Sequence, residues 1–195
     1  MALEMFVRRI RNKGILVALC LLAVTSIGWV VKPRGVPAQE GIVNFGRVSE
    51  RIFRGAQPDA SGVKRLGTLG VKTIINLRMN DDGWKDEASI AQACGILYTN
   101  IPFHGFGRPS DSQVNQVLQL IESLPGPVFI HCQHGCDRTG TVIACYRIRH
   151  DRWSEAKALK EAGRFGLSWF ERGMRKYVLD FARPKKDAKP AARDA

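Results

Sequence analysis

The stretch that most constrains this chain is Val128-Phe129-Ile130-His131-Cys132-Gln133-His134-Gly135-Cys136-Asp137-Arg138-Thr139-Gly140-Thr141. A short apolar run ends in His131-Cys132, passes through a tight segment, and resumes at Arg138 with a helical apolar period carried by Val142, Ile143, Cys145 and Tyr146. In such a strand-loop-helix the loop amides and the helix N-terminus converge on one point, an anion cradle. A cysteine at its base is favoured as thiolate by those amides, by the helix dipole and by a nearby arginine. Arg138, at the start of the helix, supplies a planar fork for two oxygens of a tetrahedral oxyanion. A cysteine, five intervening residues and an arginine are the parts needed to attack a phosphate.

The 195 residues allow one ordinary domain with extensions, and a hydrophobic content of 45% is enough for a core. A net charge of +12 favours anionic partners without choosing among phosphorylated substrates, acidic lipid surfaces and nucleic acid. Five cysteines, Cys20, Cys94, Cys132, Cys136 and Cys145, form an odd set without the spacing of a small disulfide scaffold, so at least one free thiol is expected.

The ends of the chain differ in character from its middle. Residues 1–13 are basic, with Arg8, Arg9, Arg11 and Lys13, and 14–31 run for 18 residues without a charge. That length is at the lower limit for crossing a bilayer, and the excess of basic residues before it predicts a single-pass anchor with the N-terminus in the cytoplasm and the remainder on the periplasmic or extracytoplasmic side. Val36-Pro37-Ala38 also offers a signal-peptidase site, so cleavage and export is the alternative. Residues 32–41 read as a linker, 42–182 as the folded domain, and 183–195 as a charged, disordered tail.

Within 42–182, a hairpin is predicted from Asn44–Val48 and Arg51–Arg54, a helix after Pro58-Asp59, and a strand over 71–78. Next come a helix near 86–94, a strand over 96–103, a helix capped by Ser110, and helices over 154–162 and 169–182. This alternation implies an α/β fold: a single domain with a central, mostly parallel sheet flanked by helices, preceded by the transmembrane segment, with the strand ending at Cys132 in the centre.

His131, Cys132, Arg138, Thr139 and Gly140 meet the signature His-Cys-x5-Arg-Ser/Thr-Gly, and the region from Asn44 to Phe181 resembles the cysteine-dependent protein tyrosine phosphatase superfamily, in particular small bacterial members of its dual-specificity branch. The resemblance implies hydrolysis of phosphomonoesters on protein, lipid or small molecule, without metal or cofactor. Cys132 would be the nucleophile, Arg138 the clamp on the transferring phosphate, and Thr139 the hydroxyl that helps the sulfur leave. Gln133, His134, Gly135, Cys136 and Asp137 would line the substrate with Arg138, and His131 and Gly140 would support the loop, Gly135 and Gly140 through backbone freedom.

Two departures bear on the proton donor. Many members carry an aspartate about thirty residues before the cysteine; here that loop offers His104-Gly105, and Asp111 follows at the start of the next helix. Asp111 is the first candidate for general acid, although an acid there also suits a helix N-terminus. Asp137, inside the cradle, is the second, and His104 the third. Cys136 either packs or protects an oxidised Cys132 as a disulfide. Arg78 and Arg108 are candidate secondary phosphate contacts, and Arg54, Arg78 and Arg108 each also read as solvated charge at a strand end or loop.

Three other readings compete. A zinc site around His131, Cys132, His134 and Cys136 lacks a second ligand pair at motif spacing. The pattern also resembles RNA triphosphatases of the superfamily, which the charge suits and the expected anchor opposes, so nucleic acid is set aside as a partner. A phosphate-binding module without activity is the last.

Overall fold

Val128–His131 forms the middle strand of a five-stranded sheet because both of its faces are apolar. The computed structural model describes residues 34–182 apart from Gly83. In chain order the strands are β1 (Gly46–Arg47), β2 (Ile52–Gly55), β3 (Thr73–Asn76), β4 (Leu97–Asn100) and β5 (Val128–His131), arranged β1-β2-β5-β3-β4. β5 pairs in parallel with β2 and β3, β3 in parallel with β4, and only β1 runs antiparallel, so the sheet is mixed. The helices are α1 (Ala60–Thr68), α2 (Glu87–Ala93), α3 (Asp111–Ser123), α4 (Asp137–Arg149), α5 (Glu155–Arg164) and α6 (Arg172–Phe181).

Side chains alternate along a strand, and each face of the sheet has its own core. Ile52, Ile75, Val128 and Ile130 pack with Val114, Val117 and Leu118 of α3, Val142, Ile143 and Cys145 of α4, Ala158 and Ala162 of α5, and Tyr177 and Val178 of α6. On the other face Phe53, Ile74 and Phe129 pack with Ile42, Phe45, Val63 and Leu66 of α1, and Ala91 of α2. All four residues of β5 are buried, as expected for a parallel strand covered on both sides.

Local chemistry sets several element ends. Asp59 caps α1 by accepting from the Gly62 amide at 2.8 Å. At α3, Ser110 Oγ accepts from the Gln113 amide at 3.2 Å while Gln113 Oε1 accepts from the Ser110 amide at 2.9 Å, a reciprocal capping box. The last helix begins at Arg172, three residues later than its apolar period suggested, because Trp169 and Phe170 are 72% and 70% exposed and take no part in the core.

The expected membrane placement is corrected here. No helix among the described residues is long and apolar enough to cross a membrane. The segment 14–31 that prompted the expectation lies outside the described residues, as does the tail 183–195.

Candidate active site

β5 delivers His131 and then Cys132 to the carboxyl edge of the sheet, where the chain turns through Gln133–Cys136 into α4. Cys132 is 3% exposed and Arg138 6%, while Gln133 and His134 form an exposed rim. The flanking strands continue into the loop's support: the Leu77 amide donates to the His131 carbonyl at 2.9 Å and the Gln57 amide to the Gln133 carbonyl at 3.1 Å. Gly135 has φ +66, and a Cβ there would lie 2.4 Å from the Gly55 carbonyl, so only glycine fits. Gly140, expected to give the loop freedom, instead lies within the first turns of α4 with its Cβ position 3.6 Å from Ala162 and Leu167. That spacing is an ordinary contact and leaves room for a methyl group.

Two side chains from the first hairpin hold the loop from behind. Asn44, with φ 54, donates through Nδ2 to the His134 carbonyl at 3.0 Å and to the Phe165 carbonyl at 2.9 Å. Asn is among the few residues that tolerate that backbone conformation. Arg54, one of three arginines read as possible surface charge, is wholly buried. It donates to the Gly135 carbonyl at 2.7 Å and stacks on the Phe165 ring at 4.0 Å, and burial lowers its pKa to about 10 despite the nearby Glu161 carboxylate and Cys132 and Cys136 thiols. Strand alternation was the available signal, since Arg54 shares the face of buried Ile52.

A buried polar network backs the nucleophile. The His131 ring stacks against Phe129 with centroids 5.6 Å apart, and Nδ1 lies 3.3 Å from the Cys132 carbonyl. His131 Nε2 is 2.9 Å from Glu87 Oε1, close but not aligned as a hydrogen bond, and both side chains are fully buried. Glu87 Oε2 accepts from Asn76 Nδ2 at 3.0 Å and from Tyr98 Oη at 3.3 Å. Burial and the adjacent carboxylate push the Tyr98 hydroxyl up to about 12, against the Asn76 hydrogen bond. Glu87 had no sequence signal, because an acid at a helix start is ordinary.

The remaining candidates are distributed as follows. Arg138 Nη1 is 3.4 Å from the Phe103 carbonyl and 3.6 Å from Asp82 Oδ2. Thr139 Oγ1 is buried and has no hydrogen-bond partner among the described residues. Asp137 accepts from Arg34 Nη2 at 2.6 and 2.8 Å and from the Ser168 amide at 2.8 Å, so its carboxylate is tied to the 34–35 and 166–168 segments. Asp111 accepts from Tyr177 Oη at 3.0 Å, and that hydroxyl is pushed up by burial and by Asp111. His104 is exposed. Arg108 pairs with Asp180 at 2.9 Å and stacks over Tyr177, and Arg78 pairs with Asp82 at 2.6 Å. The Cys136 thiol faces the back of the loop, 3.5 Å from Asn44 Nδ2 and 3.3 Å from the His134 carbonyl, and burial pushes it up to about 11. Among the described residues no cluster of His, Cys, Asp or Glu is arranged to hold a metal ion.

The family model described as "DSP-PTPase phosphatase fused to NAD+ Kinase" matches residues 37–175. The chain belongs to the dual-specificity branch of the cysteine-dependent phosphatases. The chain is 34% identical over 138 residues to the dual specificity protein phosphatase TpbA of Pseudomonas aeruginosa (strain UCBPP-PA14), covering 69% of this chain and 60% of the relative. It thus spans about three fifths of the length of that relative. The crystal structure of P. aeruginosa TpbA superposes with a TM-score of 0.63 at 30% identity, covering 76% of this chain and 90% of that one. The inositol diphosphatase DSP5 of Arabidopsis thaliana is 28% identical over 152 residues, 71% of this chain and 69% of the relative.

Proposed function

We propose that this phosphatase hydrolyses phosphate monoesters through a covalent phosphocysteine on Cys132. One observation carries the reading: Cys132 and Arg138, both buried, flank a single tight loop that closes against Gly55 at Gly135 and leads directly into the N-terminus of α4. The loop amides of Gln133, His134, Gly135, Cys136 and Asp137 would hold the phosphate oxygens, with Arg138 clamping two of them. The Cys132 sulfur attacks phosphorus; the S–P bond forms as the P–O bond breaks, and the leaving oxygen takes a proton. Water then attacks the phosphocysteine and the sulfur departs with its electron pair, aided by the Thr139 hydroxyl, which is buried without another partner among the described residues. His131, backed by Glu87, keeps the loop in place.

A nucleophile 3% exposed is reached by a phosphate that stands well clear of its carrier, which favours a tyrosine ring over the shorter serine side chain. A TpbA variant has been crystallised with pTyr, and phosphotyrosine is the first substrate proposed here. An inositol diphosphate is the second. The net charge of +12 suits a polyanion, and Asp137, which would otherwise repel one, is neutralised by Arg34.

The test is turnover of para-nitrophenyl phosphate by wild type and by Cys132→Ser. Wild type should turn over and the variant should fall to background. A wild type with no thiol-dependent turnover overturns the reading and leaves the phosphate-binding module. A panel of phosphotyrosine peptides, inositol diphosphates and triphosphorylated RNA then ranks the substrates by kcat/KM.

A further inference from the structure

Neither Asp111 nor Asp137 is the carboxylate found against the phosphate clamp. That place is taken by Asp82, in the loop between β3 and α2. Its Oδ1 is 2.6 Å from Arg78 Nη2 and its Oδ2 is 3.6 Å from Arg138 Nη1. The Asp82 side chain is 40% exposed where that of Arg138 is 7% exposed, so the carboxylate stands on the solvent side of the guanidinium, where a leaving group would exit. Arg78 is itself fixed: its amide donates to Asn76 Oδ1 at 2.8 Å and its carbonyl accepts from Asn100 Nδ2 at 2.9 Å. Asp82 is therefore anchored to the carboxyl ends of β3 and β4 through one oxygen while the other faces the clamp.

We propose that Asp82 is the general acid that protonates the leaving oxygen, an inference that rests on the Cys132 phosphatase reading. Arg78 and Arg138 are the charged groups that face it. A phosphate that binds Arg138 with N···O distances of about 2.8 Å engages that guanidinium and sets its leaving oxygen beside Asp82 Oδ2, within reach of a proton carried there. As sulfur attacks phosphorus and the P–O bond breaks, the electron pair left on the departing oxygen takes the Asp82 proton. In the second half-reaction the Asp82 carboxylate accepts a proton from the attacking water, which restores the starting state.

The proposal predicts a dependence on the leaving group. Asp82→Asn, Asp111→Asn and Asp137→Asn would be compared with wild type on para-nitrophenyl phosphate, whose leaving group needs little protonation, and on phenyl phosphate, whose leaving group needs it. Loss of a general acid costs roughly 10²-fold or more. Asp82→Asn should lose that much kcat on phenyl phosphate and several-fold less on para-nitrophenyl phosphate, with an unchanged melting temperature. The inference is overturned if Asp82→Asn slows both substrates equally, which would make Asp82 only a support for Arg138, if it is as fast as wild type or faster, or if Asp111→Asn or Asp137→Asn carries the selective loss. These outcomes leave Cys132-dependent turnover intact; its absence in wild type would instead remove the phosphatase reading and this inference together.

Discussion

Gly135 and Gly140 look alike in the sequence and do opposite things in the fold. At Gly135 the backbone is left-handed, with φ +66, and a methyl group would meet the Gly55 carbonyl at 2.4 Å. The obstacle is main chain of the neighbouring strand and cannot rotate away, so Gly135→Ala must push the loop off its place. A shift of about 1 Å in a catalytic group costs on the order of 10²-fold. We expect kcat on para-nitrophenyl phosphate to fall by about that factor in Gly135→Ala while unfolding in urea stays cooperative. Gly140 is helical, with 3.6 Å to its nearest neighbours, an ordinary contact. Alanine there removes the entropic cost of a helical glycine, and Gly140→Ala should gain about 0.5–1 kcal/mol in urea unfolding with near-normal turnover. Equal loss of activity in both variants would show that the loop's freedom, not its contact with Gly55, is what matters.

At the scale of elements, the start of α4 is fastened by a chain segment that precedes the family match. Arg34 grips the Asp137 carboxylate and the Gly166 carbonyl, and Asp137 also accepts the Ser168 amide. The Arg34 side chain is 47% exposed, and such surface pairs contribute little, so Arg34→Ala should cost less than about 1 kcal/mol in urea unfolding. Asp137→Ala removes the acceptor of a half-buried amide, a first-turn acid and the partner of Arg34 at once. It should cost about 1–3 kcal/mol, and the reverse order of the two variants would show that Arg34, not Asp137, organises the junction. Which elements exist was legible from local signals: the continuous apolar run of Val128 to Ile130, the Ser110 cap and the Asp59 cap. The nucleophile and clamp were legible because their chemistry is confined to seven consecutive residues. Asn44, Glu87 and Asp82 were not, because each reaches the loop only through the strand order β2-β5-β3, which no local pattern in the chain encodes; for Arg54 strand alternation signalled the burial but not the Gly135 partner. Arg34 was masked in another way, reading as linker charge beside a possible cleavage site.

For the whole molecule, burying titratable groups around the loop makes stability depend on alkaline pH in a way that can be signed. The Cys136 thiol is raised by burial from its ordinary 9.0 to about 11, and Cys145, inside α4, is raised by burial as well. A group whose folded pKa lies above its unfolded value stabilises the fold fully below the unfolded pKa. That contribution is lost as pH climbs through the folded pKa, because the unfolded chain releases its proton first. Stability should therefore begin to fall as pH passes 9, the ordinary thiol value. Two opposing effects bound the usable window. Arg54 is lowered by burial from 12.5 to about 10, so the cost of burying its charge is relieved only above pH 10. The excess positive charge, +12 at pH 7, also repels less as lysines titrate, but that background is shared by any variant that leaves the lysines alone. The comparison is therefore between wild type and Cys136→Ala/Cys145→Ala, with urea midpoints measured from pH 8.5 to 10 under reductant. Wild type should lose stability relative to the double variant as pH rises, with each thiol contributing less than about 1.4 kcal/mol per pH unit. Parallel curves would show that the two thiols titrate alike in the folded and unfolded chain, and that burial behind the loop does not set its alkaline limit.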